Sequence, residues 1–159
     1  MDNRAIDVQI LPEYCDSVNE TWVQNLVSNT LFLANPNGGS GVNVLITNSD
    51  TLHKLNLRFR GLNESTDVLS FAQESDDHPD IQFPVFPSEE SLGDVVISFQ
   101  HAKSQANTHN VTFEREIALL IVHGVLHLLG HDHAEPTETK AMQHLESLIL
   151  DDFFASTKL

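Results

Sequence analysis

The sequence predicts an α+β domain: a mixed sheet of about four strands packed with about five helices, the central one buried and carrying a metal motif. Three observations carry this. Short runs of strand character alternate with helical periodicity along most of the chain. The stretch from Ile117 to Leu129 is apolar nearly all round, which marks a helix inside the domain. That helix and the turn after it hold four of the nine histidines.

With 159 residues, 40% hydrophobic and 19% charged, residues 1–159 read as one domain. Such a chain can bury about 70% of its extended surface. Val8 and Ile10 alternate with polar neighbours before Pro12, the pattern of a first strand. Val18, Trp22, Leu26 and Val27 then recur at helical spacing, with Asp16 or Ser17 as the expected N-cap and Asn35 to Gly39 as the turn that ends the helix. Gly41 to Thr47 reads as a buried strand. Asn48 or Ser49 should cap a second helix, whose apolar face is Leu52, Leu55 and Phe59 and whose stop is Gly61. Lys54, Arg58 and Arg60 lie beside that face, three of only eight Lys plus Arg.

Asp67 to Ala72 has strand character. Gln73 to Ser91 carries six acidic residues and three prolines without periodicity, and reads as a long mobile loop, either a plain surface insertion or a lid. Leu92 to Ser98 returns to strand, and Phe99 to Thr108 is a short helix. Thr112 should cap the central helix, with Glu114 and Glu116 in the first turn, where acids suit the helix dipole. Pro136 suits a helix start, and Met142, Leu145, Leu148, Ile149 and Phe153 form the packing face of the last helix.

Charge and composition narrow the partners. A net charge of -15 repels polyanions over the surface as a whole, so a nucleic-acid substrate needs a local basic patch. A role at a membrane surface fits poorly. Cys15 is the single cysteine, which excludes an internal disulfide and suits a reducing compartment. The first residues have no apolar signal region, and Ile117 to Val122 is too short to span a bilayer. A cytoplasmic location is expected.

His123 and His127 are four residues apart, which places both imidazoles on one helix face. Gly130 can take a positive φ and turn the chain back, so that His133 arrives as a third nitrogen. Three neutral imidazoles with one open position make a catalytic zinc site; His131 stays outside the set as a turn or cleft residue. The spacing matches that of metzincin proteases. Those enzymes place a glutamate directly after the first histidine as general base, and here that position is Gly124. The nearest acid is Asp132, which can orient a ligand, accept a proton or simply cap the turn.

The run His123-Gly-Val-Leu-His127-Leu-Leu-Gly-His131-Asp132-His133 resembles the signature of the YbeY-type metal-dependent endoribonucleases of bacteria. Asn56 to Arg60, Thr66 to Phe71 and Leu92 to Ser98 resemble further segments of that family, so the likeness runs from about Val42 to the last helix. Ala72 replaces the family's usual proline, and the acidic stretch from Glu74 to Glu90 is longer than typical. The resemblance implies one zinc ion on His123, His127 and His133. It also implies single-strand-specific cleavage of RNA in ribosomal RNA 3′-end processing and ribosome quality control. Arg60 matches the arginine that the family places near the metal, and Asp132 is the second candidate catalytic residue. Ribosomal RNA is the expected partner, presented by the ribosome or a ribosomal protein to offset the negative charge. The alternatives are a zinc metallopeptidase-like hydrolase and a zinc-stabilised ribosome assembly factor without catalysis.

Overall fold

The computed structural model describes residues 5–36, 41–72, 91–131 and 134–156. The acidic stretch from Gln73 to Glu90 lies outside the described residues, as do Asp132 and His133. Four strands and five α-helices are described: β1 (Ile6–Ile10), α1 (Glu20–Ala34), β2 (Gly41–Thr47), α2 (Ser49–Arg60), β3 (Val68–Ala72), β4 (Ser91–Ser98), α3 (Phe99–His109), α4 (Phe113–Leu128) and α5 (Pro136–Ser156). They give the α+β class that the sequence predicts.

The sheet runs β1-β2-β4-β3. The first two pairings are parallel and β3 is antiparallel to β4. Parallel strands covered on both faces need near-continuous apolar runs, and β2 meets that demand, with six of its seven residues buried. Val42, Val44, Ile46, Val95 and Ile97 point to the face covered by the main core, which also takes in buried residues of α1, α4 and α5. On the opposite face, Leu52 of α2 packs with Leu69 and Val96, and Leu45, Leu55 and Phe71 border this smaller cluster.

The central helix is α4, which touches α1, α3, α5, β3 and β4. Ile121, Val122, Val125 and Leu126 are fully buried in it. Thr112 caps it as expected, accepting the Arg115 N–H at 3.1 Å. Its C-terminus closes as a Schellman motif: the His131 N–H donates to the Leu126 carbonyl and the Gly130 N–H to that of His127. Gly130 has φ +95°, so the turn uses a conformation that L side chains rarely adopt.

Several boundaries and faces differ from expectation. The first helix is capped by Asn19, whose side chain accepts the Trp22 N–H, and not by Asp16 or Ser17. A 3₁₀ turn over Pro12–Tyr14 accounts for the shift, because the N–H groups of Ser17 and Val18 both donate to the Tyr14 carbonyl. Leu148 is 53% exposed, and the packing face of α5 runs instead through Met142, Glu146, Ile149, Leu150 and Phe153. Glu116 does more than complement a dipole. It is buried and accepts from the His109 ring at 2.8 Å.

Asp94 lies partly buried on β4 and accepts a hydrogen bond from Asn43 at 2.9 Å. Burial raises its carboxyl above the ordinary 3.8 and outweighs that bond. The folded chain therefore holds this proton more tightly than the unfolded one, and the stability linked to it is lost as pH rises from 3.8 through the folded value. Asp94→Asn keeps the acceptor and removes the charge. We expect it to melt above wild type at pH 7 and to lose that advantage at pH 3; an equal gain at both pH values would contradict the linkage.

Candidate metal centre

Both helical histidines project from one face of α4 into a cleft of about 540 Å³. Their Nε2 atoms lie 3.1 Å apart and their rings meet edge to face at 4.6 Å between centroids. Two nitrogens bound to one tetrahedral zinc at ordinary bond lengths are about 3.3 Å apart. The pair as it stands is therefore close to the separation of two ligands on one ion, and the donor set suits zinc. His131 also lines the cleft, directly after the Schellman turn. The third expected ligand, His133, and the neighbouring Asp132 fall outside the described residues, so the described part of the site is the His123–His127 pair and its surroundings.

The other wall of the cleft comes from the end of α2 and from β3. Gly61, with φ +68°, stops α2 directly after Arg60 and closes the helix through N–H bonds to the Asn56 and Leu57 carbonyls. Arg60 thereby reaches the cleft that holds His123 and His127, whereas Arg58 and Lys54 are not among the residues lining it. Lys54 pairs one turn back with Asp50 at 3.6 Å, on the exposed surface. Of the three cations clustered in the sequence, the fold thus brings one to the site.

Two lining residues were not singled out by the sequence. Ser70 on β3 donates its hydroxyl to the Gly124 carbonyl at 3.0 Å, which ties the metal helix to the sheet. Asp67 is held by four bonds: its carboxylate accepts from the Val68 N–H at 2.8 Å, from Gln105 at 3.2 Å and from the Thr66 hydroxyl at 3.3 Å, and its carbonyl accepts from the Ser98 N–H. Both belong to the segment Asp67 to Ala72, which the sequence marked as a strand and as part of the family resemblance without giving either residue a role.

A third residue missed by the sequence is Glu146 of α5. Its Oε2 lies 2.5 Å from Nδ1 of His123, on the side of the ring facing away from His127. The signal was present. Met142, Glu146, Ile149 and Phe153 recur at steps of four, three and four, which sets a carboxylate in the apolar stripe of a helix.

Gly124 has a packing role. A Cβ built there would lie 2.5 Å from Cγ1 of Val95 and 3.2 Å from Oγ of Ser70. The glycine that takes the place of a protease's glutamate is also the point at which α4 presses on the sheet.

The chain as a whole is similar to known proteins. A model of the family described as Endoribonuclease YbeY matches residues 7–154. The chain is 42% identical over 146 residues to the endoribonuclease YbeY of Roseiflexus castenholzii, across 91% of this chain and 90% of that one. It is 35% identical over 147 residues to the endoribonuclease YbeY of Lysinibacillus sphaericus, across 89% and 94%. In structure it resembles a Thermotoga maritima protein determined in solution, with a TM-score of 0.62 and 24% identity over 95% of this chain and 90% of the other. That last likeness concerns the fold alone.

Proposed function

From its membership of the YbeY endoribonuclease family, to which this chain belongs by a match over residues 7–154, we propose that it is a zinc-dependent, single-strand-specific endoribonuclease. Its place is in 3′-end processing of ribosomal RNA and in ribosome quality control, in the cytoplasm. The observation that carries the chemistry is the pair of converging imidazole nitrogens in a polar cleft that also holds an arginine.

His123, His127 and His133 would hold one zinc ion. A bound zinc ion polarises a phosphoryl oxygen and makes water a stronger nucleophile near neutral pH. The chain's own residues supply the remainder. Arg60 presents a planar fork of donors that can hold two phosphate oxygens at once. It is positioned by the C-terminus of a helix, which gives it a fixed starting point at the cleft wall. Asp132, next to His133 in sequence, is the candidate to orient that ligand or to take up a proton.

The charge of -15 bears on how RNA arrives. Repulsion slows encounter with a free polyanion, and a cleft with one arginine contacts few phosphates, so affinity from the chain alone is low. Delivery of the RNA by the ribosome or a ribosomal protein removes that difficulty, because the strand is then held in place by contacts other than this chain's.

The test pairs elemental analysis of the purified protein with cleavage assays on single-stranded RNA and on casein, each with and without chelator. Chelator-sensitive cleavage of RNA and none of casein is expected. Cleavage of casein alone would overturn the reading in favour of a peptidase. Arg60→Glu should keep its zinc and lose about 10²–10³-fold in kcat/KM on RNA, the range for removing one donor aimed at developing charge. Wild-type cleavage by Arg60→Glu would remove Arg60 from the mechanism.

A further inference from the structure

We propose that Glu146 is a positioning residue for the metal: its carboxylate fixes the tautomer and the rotation of His123 so that Nε2 offers its lone pair to the ion. The inference rests on the metal site proposed above and extends it to the last helix.

A neutral imidazole carries one N–H, and a metal takes the other nitrogen. An ionised carboxylate only accepts. With Glu146 Oε2 at 2.5 Å from Nδ1, the proton of His123 belongs on Nδ1 and Nε2 keeps its lone pair. That Nε2 is the atom 3.1 Å from Nε2 of His127. The hydrogen bond to Glu146 therefore selects the tautomer whose Nε2 lone pair points to the side of the ring where His127 converges.

The placement of Glu146 points to this use. A carboxylate 7% exposed, in the packing stripe of a helix, incurs desolvation that a leucine would not. The two residues are 23 apart in sequence and on different helices, so the contact depends on α4 and α5 being packed together. Packing alone would be served as well by an apolar side chain. A hydrogen-bonded ligand is served only by an acceptor.

The surroundings also make the idea testable without wrecking the fold. Behind His123 lies a second cavity of about 300 Å³, lined by Gln105, His109, Glu116 and Glu146 among others, and open enough to admit water. If Glu146 is truncated, water can reach Nδ1 and the ring need not unfold the site to satisfy its N–H. The ring is then free to rotate and to exchange tautomers. Loss of such an outer partner commonly weakens metal binding by about 10–100-fold.

The experiment measures zinc affinity by competition with a chromophoric chelator for wild type, Glu146→Ala, Glu146→Gln and His127→Ala, alongside the melting temperature of each metal-free protein. Glu146→Ala should bind zinc about 10–100-fold more weakly, with a metal-free melting temperature near that of wild type. Glu146→Gln keeps an acceptor oxygen and should recover most of the affinity. In ¹⁵N-histidine NMR, wild type should show His123 protonated on Nδ1 and Glu146→Ala a mixture of tautomers. Wild-type affinity in Glu146→Ala overturns the role of Glu146 while leaving the metal site standing. Weak binding that merely follows a fall in the metal-free melting temperature assigns Glu146 to folding and overturns it too. Wild type and His127→Ala alike binding no zinc would overturn the metal site itself, and this inference with it.

Discussion

Purified His127→Ala is expected to contain no stoichiometric zinc and to have lost RNA cleavage, with its fold intact. Zinc binding is worth about 10–16 kcal/mol in small structural sites, so one ligand of four contributes about 2.5–4 kcal/mol, or roughly 10²–10³-fold in affinity. The loss is felt twice here. Removing His127 takes away one nitrogen and also the neighbour against which the His123 ring is set, edge to face. The fold should survive because His127 faces the cleft, while the apolar residues around it on α4, Leu126 and Leu128, keep their places in the core. Circular dichroism and elemental analysis on the same sample decide the matter. A full equivalent of zinc in folded His127→Ala would remove the helical pair from the metal site.

The fold was largely legible because its main signals are local. The near-continuous apolar run of β2, interrupted by Asn43, and the all-round apolarity of α4 each report burial on more than one side, and both elements are buried as those patterns require. The Asn48 cap and Gly61 stop of α2 are likewise short-range chemistry, and they set Arg60 at the cleft. What the sequence hid depends on contacts between distant segments. Asp16, Ser17 and Asn19 are all good N-caps, and the choice among them falls to a 3₁₀ turn that engages the backbone of Ser17 and Val18 first. Glu116 looks like a surface acid of a first helical turn until His109 is brought against it, and Glu146, although marked by its place in an apolar stripe, has no visible use until His123 is brought against it. Residue type and spacing do not separate Arg58 from Arg60; the family resemblance favoured Arg60, and the end of α2 at Gly61 brings it to the cleft.

Restoring the protease glutamate is expected to fail for a steric reason before any chemical one. The His-x₃-His-x₅-His spacing shared with metzincins invites Gly124→Glu, which would place a general base one residue after the first ligand. Yet even the first carbon of that side chain has no room. Its Cβ would sit 2.5 Å from Cγ1 of Val95, a fully buried residue at the middle of β4, and 3.2 Å from the Ser70 hydroxyl that binds the Gly124 carbonyl. Val95 is β-branched and stiff at χ1, so it cannot fold aside. The helix cannot move away without parting from β3 and β4 together. Gly124→Ala alone should cost about 1–3 kcal/mol by overpacking, a fall in melting temperature on the order of 5 °C for a chain of this size. Gly124→Glu adds a carboxylate to that tight contact, where the Ser70 hydroxyl already donates to the Gly124 carbonyl, so thermal denaturation should show loss of the cooperative transition and the variant should not cleave casein. A folded Gly124→Glu that does cleave casein would show that this position tolerates the protease base. As the structure stands, close packing on the sheet claims the position that peptide hydrolysis would need, and the face of α4 left for chemistry is the one that looks towards Arg60.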